Sequence, residues 1–154
     1  MRFFKIERLL LMMQLRQGQK SDFNFLYKLK KATLKEYIAK TWGWDEKWQK
    51  DYFSQNFKPK SIKIVRQLKN NIGCISILEE DNLYCLSLVE ILPKYQNQGI
   101  GTSLIKELLS TAKKQNKPVY LQVLKTNKKA QNLYKRLCFL TEEETKTHLK
   151  MVYK

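Results

Sequence analysis

The sequence predicts a single α/β domain built on a mixed sheet, and three observations carry that prediction. Ile62 and Ile64, then Ile75 and Ile77, alternate with polar residues at the period of half-buried strands. The run Leu83–Leu92 is apolar on both faces, as a central strand is. Behind Gly99 and Gly101 lies an amphipathic stretch striped by Leu104, Ile105, Leu108, Leu109 and Ala112. A second buried run, Val119–Leu124, follows it. Strand, helix, strand makes a right-handed parallel unit.

The elements follow in chain order. Residues 1–12 are expected to be an extension or an alternative start, because Met12 and Met13 stand just before the first strand, Gln14–Gln17. The apolar run Leu9–Met13 is shorter than a signal-peptide core and lacks a small-residue cleavage site. The folded domain is therefore placed at 13–154. Ser21 or Asp22 can cap a first helix, in which Phe25, Leu26, Leu29 and Ala32 recur at helical spacing up to about Ala39. A second helix is expected from about Asp45 to Asn56. Strands 61–68 and 71–79 come next, then Glu80-Asp-Asn82 turns into Leu83–Leu92. The helix opened by the glycines stops at Asn116-Lys-Pro118. Lys128–Arg136 forms a short helix with Ala130, Leu133, Tyr134 and Leu137 on one side. Strands Phe139–Glu143 and His148–Tyr153 close the domain.

At 154 residues the chain has the length of one domain with a real core, and its 43% apolar content excludes disorder. A net charge of +16 favours polyanions: nucleic acid, an anionic membrane or a phosphorylated cofactor. The lysines are scattered, however, which reads as a solvated basic surface more than as a nucleic-acid groove. Cys74, Cys85 and Cys138 are odd in number and widely spaced, and His148 is the only histidine. That argues against a disulfide framework and against a metal site, and fits a reducing, cytoplasmic compartment. No apolar run approaches the ~20 residues of a membrane span, so no membrane association is expected.

Chemistry concentrates after the central strand. Backbone N–H groups freed at a helix start converge on one point, and the helix dipole makes that point attractive to anions. Gly99 and Gly101 have no side chain to keep a phosphate from the main chain. The dinucleotide fingerprint fails, because Leu104 holds its third glycine position, and no Gly-Lys-Ser/Thr marks a nucleotide P-loop. What fits is Q-x-x-G-x-G at Gln96–Gly101, then V-x-x-x-N-x-x-A-x-x-L-Y from Val123 to Tyr134. In spacing, order and strand–helix–strand–helix context, about residues 83–140 resemble the GNAT superfamily of acyl-coenzyme A-dependent N-acetyltransferases.

The resemblance implies a mostly antiparallel sheet, splayed at its two parallel central strands and flanked by helices, about four in all. It implies acetyl-coenzyme A as acetyl donor, its pyrophosphate on the N–H groups of Gln96, Asn97, Gln98, Gly99, Ile100, Gly101 and Thr102. Ile91 and Leu92 would pair with the pantetheine arm as with an added strand, and an N–H there would polarise the thioester carbonyl. Asn127 caps the Lys128 helix and, by resemblance, also contacts the coenzyme. Ala130 is the small residue that lets the coenzyme lie close. Tyr134 would protonate the departing thiolate; its alternative role is an aromatic on the core stripe.

The base is less marked. Relatives carry a carboxylate earlier on the central strand, where Cys85 and Ser87 stand here. Glu90 is the only acid in that strand, and a carboxylate in an apolar strand is costly unless solvated or paired. Glu90 is therefore a candidate base; strand-end exposure and a water chain serving as base are the alternatives. His148, on the last strand, borders the expected acceptor site. Trp42, Trp44 and Trp48 cluster with Asp45 and Glu46 between the first helices, and aromatic faces with carboxylates suit a cationic amine. Trp44, Glu46 and His148 are the acceptor candidates, against the alternative that the tryptophans simply pack helices. Relatives have Gly-Phe after the tyrosine helix, where this chain has Cys138-Phe139, so that helix must end in a strained turn or end differently.

Two functions follow. One is a cytoplasmic N-acetyltransferase, monomer or homodimer, acting on an amine of a small molecule or a protein. The other is a basic module of the same fold that binds nucleic acid or ribonucleoprotein. The phosphate loop and Tyr134 favour the first, since a pure binder needs neither.

Overall fold

The computed structural model describes residues 12–154. The reading of residues 1–12 as an extension lies outside them, apart from Met12, which is exposed. In chain order the elements are β1 (Met13–Gln17), α1 (Phe23–Trp42), α2 (Glu46–Gln55), β2 (Lys63–Gln67), β3 (Asn70–Glu79) and β4 (Tyr84–Ile91). Then come α3 (Ile100–Lys114), β5 (Val119–Leu124), α4 (Lys128–Arg136), β6 (Leu140–Glu144) and β7 (His148–Tyr153). The seven strands form one sheet in the order β1-β2-β3-β4-β5-β7-β6. Only β4 and β5 run parallel; every other pair is antiparallel.

Successive strand residues point to opposite faces, and the sheet is apolar on both. On one side Ile64 and Cys74 pack with Leu26 and Leu29 of α1, with Phe53 of α2 against them. On the other, Val65 and Ile72 join the α3 stripe of Leu104, Ile105, Leu108 and Ala112, together with Tyr134 and Leu137 of α4. The sheet is thus the shared wall of two cores.

The feature that makes the site is a failure of pairing. β4 and β5 are joined only at Tyr84–Val119 and Cys85–Tyr120. Past those residues the strands diverge while each continues, β4 to Ile91 and β5 to Leu124. Leu92 donates its N–H to the Ile72 carbonyl at 2.8 Å. By strand alternation the main-chain groups of Glu90 also turn toward β3, and those of Val89 and Ile91 turn to the gap. β3 fits closely here because of Gly73, where a Cβ would collide with the Glu90 carbonyl oxygen and lie 2.7 Å from the Ile91 side chain.

Two helix ends differ from the sequence reading, and a third settles an alternative it left open, in favour of the strained turn. Asp22 does not cap α1 through its side chain. Its carboxylate takes two bonds from Arg16, at 2.6 and 2.8 Å, and the Gln19 N–H at 2.8 Å, tying β1 to the start of the helix. α1 runs on to Trp42 and ends at Gly43, with φ of 84°. After α4, Cys138 itself adopts the left-handed conformation, φ 68°, and the Phe139 N–H closes the helix on the Tyr134 carbonyl at 3.0 Å.

Candidate active site

The diverging strands open a cleft of about 390 Å³. Glu90 and Ile91 line it from β4, Gln96, Asn97, Gly99, Ile100, Gly101 and Thr102 from the loop into α3, and Asn127, Ala130 and Tyr134 from α4 and its cap. Leu92 and Gln98 do not line it. Val89, Thr33, Tyr37, Lys129 and Arg136 do, although nothing in the local sequence pattern marked them. Thr33 and Tyr37 lie one helical turn apart on α1, so a single face of that helix closes the cleft.

The loop into α3 leaves its main-chain donors open. Asn97 has φ of 60° and Gly99 of 80°, both left-handed, so the chain doubles back before the helix begins. Helix starts leave N–H groups without intrahelical partners. From Asn97 to Thr102 none of these has a hydrogen-bond acceptor among the described residues, and no side chain caps the helix. A Cβ at Gly101 would meet nothing within 4 Å, so open space lies over the amides. Gln96 braces this loop, donating to the Ile91 carbonyl at 2.8 Å and accepting from Lys129 Nζ at 2.7 Å.

On α4, Asn127 Oδ1 accepts the Ala130 N–H at 3.0 Å, the cap read from the sequence. Tyr134 is 8% exposed and packs edge-to-face on Phe139, centroids 5.7 Å apart. Burial pushes its hydroxyl up to about 12. The phenol therefore stays protonated at neutral pH while its ring lines the cleft.

Glu90 is 7% exposed, not a solvated strand end. Burial raises its carboxyl to about 7, and the nearby Lys30 charge and Thr33 hydroxyl pull in the opposite direction. Near neutral pH such a group both accepts and releases a proton.

The three acceptor candidates lie outside the cleft. Glu46 is held by three donors: Trp44 Nε1 at 2.7 Å, Lys31 Nζ at 2.9 Å and the Tyr27 hydroxyl at 3.1 Å. The Trp44 bond, then Lys31, brings its carboxyl down to about 2. His148 Nδ1 sits 2.9 Å from Thr147 Oγ1, and its ring lies 5.9 Å from that of Trp42. Trp44 lines a separate pocket between α1 and α2.

The profile of the acetyltransferase (GNAT) family matches residues 24–139. Among solved structures, the chain resembles PaiA N-acetyltransferase from Thermoplasma acidophilum in complex with coenzyme A, at 17% identity and a TM-score of 0.75, over 92% of this chain and 98% of that one. It also resembles an N-acetyltransferase from Staphylococcus aureus Mu50, at 14% identity and 0.69, over 91% and 100%. Naa50 of Arabidopsis thaliana in complex with a bisubstrate analogue, CoA-Ac-MVNAL, matches at 18% identity and 0.64, over 93% and 99%. No curated protein matches by sequence. At these identities the structures speak for the fold, and the family profile, spanning most of the chain, speaks for descent. With strands parted at β4 and β5 and an open amide loop at Gln96–Thr102, the chain belongs to the GNAT family of acetyltransferases.

Proposed function

We propose that the protein is an N-acetyltransferase that moves an acetyl group from acetyl-coenzyme A directly to a primary amine. One observation carries this reading: Asn97 and Gly99 to Thr102, whose N–H groups have no acceptor among the described residues, line the same cleft as Tyr134. The amides and the α3 dipole would hold a diphosphate, and the open space at Gly101 lets it reach the main chain. The main-chain groups of Val89 and the N–H of Ile91, turned toward the gap beside β5, would align the pantetheine arm as an added strand, the Ile91 carbonyl being taken by Gln96. Acetyl-coenzyme A supplies the activated thioester carbonyl. PaiA solved with coenzyme A and Naa50 solved with a coenzyme A-linked peptide analogue are consistent with such a donor and with an amine acceptor.

The protons then have defined destinations. Glu90 takes one from the acceptor amine, whose nitrogen bonds to the carbonyl carbon as the carbon–sulfur bond breaks. Tyr134 gives its proton to the leaving sulfur and is reprotonated from solvent, to which Glu90 releases the proton it took. The products are an amide and free coenzyme A.

Tyr134→Phe should lower kcat on the order of 10²-fold or more while coenzyme A binding, followed by calorimetry, stays unchanged. A variant that turns over like the parent rules out the acid role. Failure of the parent to bind coenzyme A overturns the reading as a whole.

A further inference from the structure

The positive charge is not spread evenly over the molecule. α3 and α4 bury their apolar stripes in the core on the same side of the sheet, so the backs of both helices face outward together. α3 exposes Lys106, Lys113 and Lys114, and α4 exposes Lys128, Lys129, Lys135 and Arg136, against one acid, Glu107. Lysines scattered along the chain are thus gathered by the fold onto one face.

These cations are uncompensated. Among the described residues none of them is in an ion pair, and only Lys129 has a side-chain partner, Gln96. On the other side of the sheet α1 and α2 pair theirs: Lys31 with Glu46, Lys40 with Glu36, and Lys47 with Asp51. Past α4, the acids of β6 meet cations of their own, Glu143 with Lys150 and Glu144 with Lys125. Like charges held together repel, and an anionic partner relieves that repulsion.

What the face lacks selects the partner. A protein partner is held around an apolar centre, a membrane surface by inserted apolar side chains, and an unpaired strand by stacked aromatics. Every exposed residue of α3 and α4 is polar or charged, so none of these has its anchor here. Cations and polar donors alone suffice for the phosphates of a duplex. On α4 the cations form two rows, Lys128 with Lys135 and Lys129 with Arg136, on either side of the exposed Asn132. Seven residues apart, the members of a row are spaced by about 10 Å. Two such rows suit phosphates on both walls of the major groove of B-DNA, about 12 Å wide, whereas the A-form groove of RNA is too narrow for a helix. We infer that the α3–α4 face docks on duplex DNA and holds it by its phosphates.

Two variants of equal net charge test this against a diffuse effect of total charge. One combines Lys106→Gln, Lys113→Gln, Lys114→Gln and Lys135→Gln, all outside the cleft. The other combines Lys28→Gln, Lys50→Gln, Lys58→Gln and Lys60→Gln, all exposed and away from α3 and α4. Binding of a fluorescein-labelled DNA duplex of about 20 base pairs is followed by anisotropy from about 50 mM salt upward. The first variant should weaken binding at least tenfold at the lowest salt. Its plot of log K against log salt should be shallower by about 3, since each lost phosphate contact removes about 0.9 from the slope. The second should stay within threefold of the parent. Equal loss in both variants, or no duplex binding by the parent, overturns the assignment. So does equal or tighter binding of single-stranded DNA, of an RNA duplex of the same length, or of phosphatidylserine vesicles. Duplex binding by a protein that takes no coenzyme A would support this face and overturn acetyltransfer. Coenzyme binding without duplex binding would overturn this inference alone.

Discussion

Glu90 shows how one residue ties function to stability. A carboxyl raised by burial from 4.5 to about 7 binds its proton more tightly folded than unfolded. Between those values the folded state holds the extra proton, so stability falls as pH rises, by about 3 kcal/mol in all. Glu90→Gln, which is neutral at every pH, should therefore gain up to about 3 kcal/mol over the parent at pH 8 and almost nothing near pH 4.5. Denaturant melts at the two pH values measure this, and an equal effect at both would refute burial as the cause. The same group predicts a kinetic limb. With Glu90 as base, kcat/KM should climb about tenfold per pH unit below pH 7 and level off above it. Tyr134, held near 12, should add no limb in the accessible range.

At the scale of elements, the cleft depends on how closely β3 lies against the end of β4. Gly73→Ala would drive a methyl group into the Glu90 carbonyl and the Ile91 side chain, so β4 must shift just where its main chain faces the gap. Coenzyme affinity should drop about tenfold or more, more than the melting temperature would suggest, since a strand-like ligand needs that edge in register. Unchanged affinity, measured by calorimetry, would remove β4 from the binding argument. Cys138 gives the opposite case. A residue with a Cβ in the left-handed conformation is strained by about 1–2 kcal/mol, and Cys138→Gly relieves this at some cost in unfolded-chain entropy. A net gain of about 0.5–1 kcal/mol with activity unchanged is expected in chemical denaturation. Destabilisation would mean that the thiol makes a contact worth more than the strain.

For the whole molecule the charge of +16 is the dominant fact, and it also favours a nucleic-acid reading. Salt separates the two. Amides fixed at a helix start bind an anion at short range, in a cleft walled by apolar side chains, whereas affinity for a duplex rests on released counterions and falls steeply as salt rises. Coenzyme A binding should persist at 0.5 M salt and duplex DNA binding should vanish, both followed by fluorescence anisotropy. DNA binding that survives while coenzyme binding is lost would favour the basic module. Among the described residues no helix is long and apolar enough to cross a membrane.

The sequence by itself determined the seven strands and the helices between them, because apolar period and turn residues are local properties of the chain. It also determined the glycine-bearing loop into α3 and the tyrosine helix, since each is a contiguous run whose spacing carries its geometry. Tertiary structure alone decided that Glu90 is buried, because Lys30, Thr33 and Cys74 surround it from other elements. It decided that Leu92 is spent on Ile72 and that Val89 faces the gap, since register between strands sets which edge each amide meets. It decided, finally, that Glu46 is ion-paired with Lys31 and held by the Trp44 and Tyr27 donors. Charge balance in a pocket depends on which side chains the fold brings within about 3 Å, and no spacing along the chain records that.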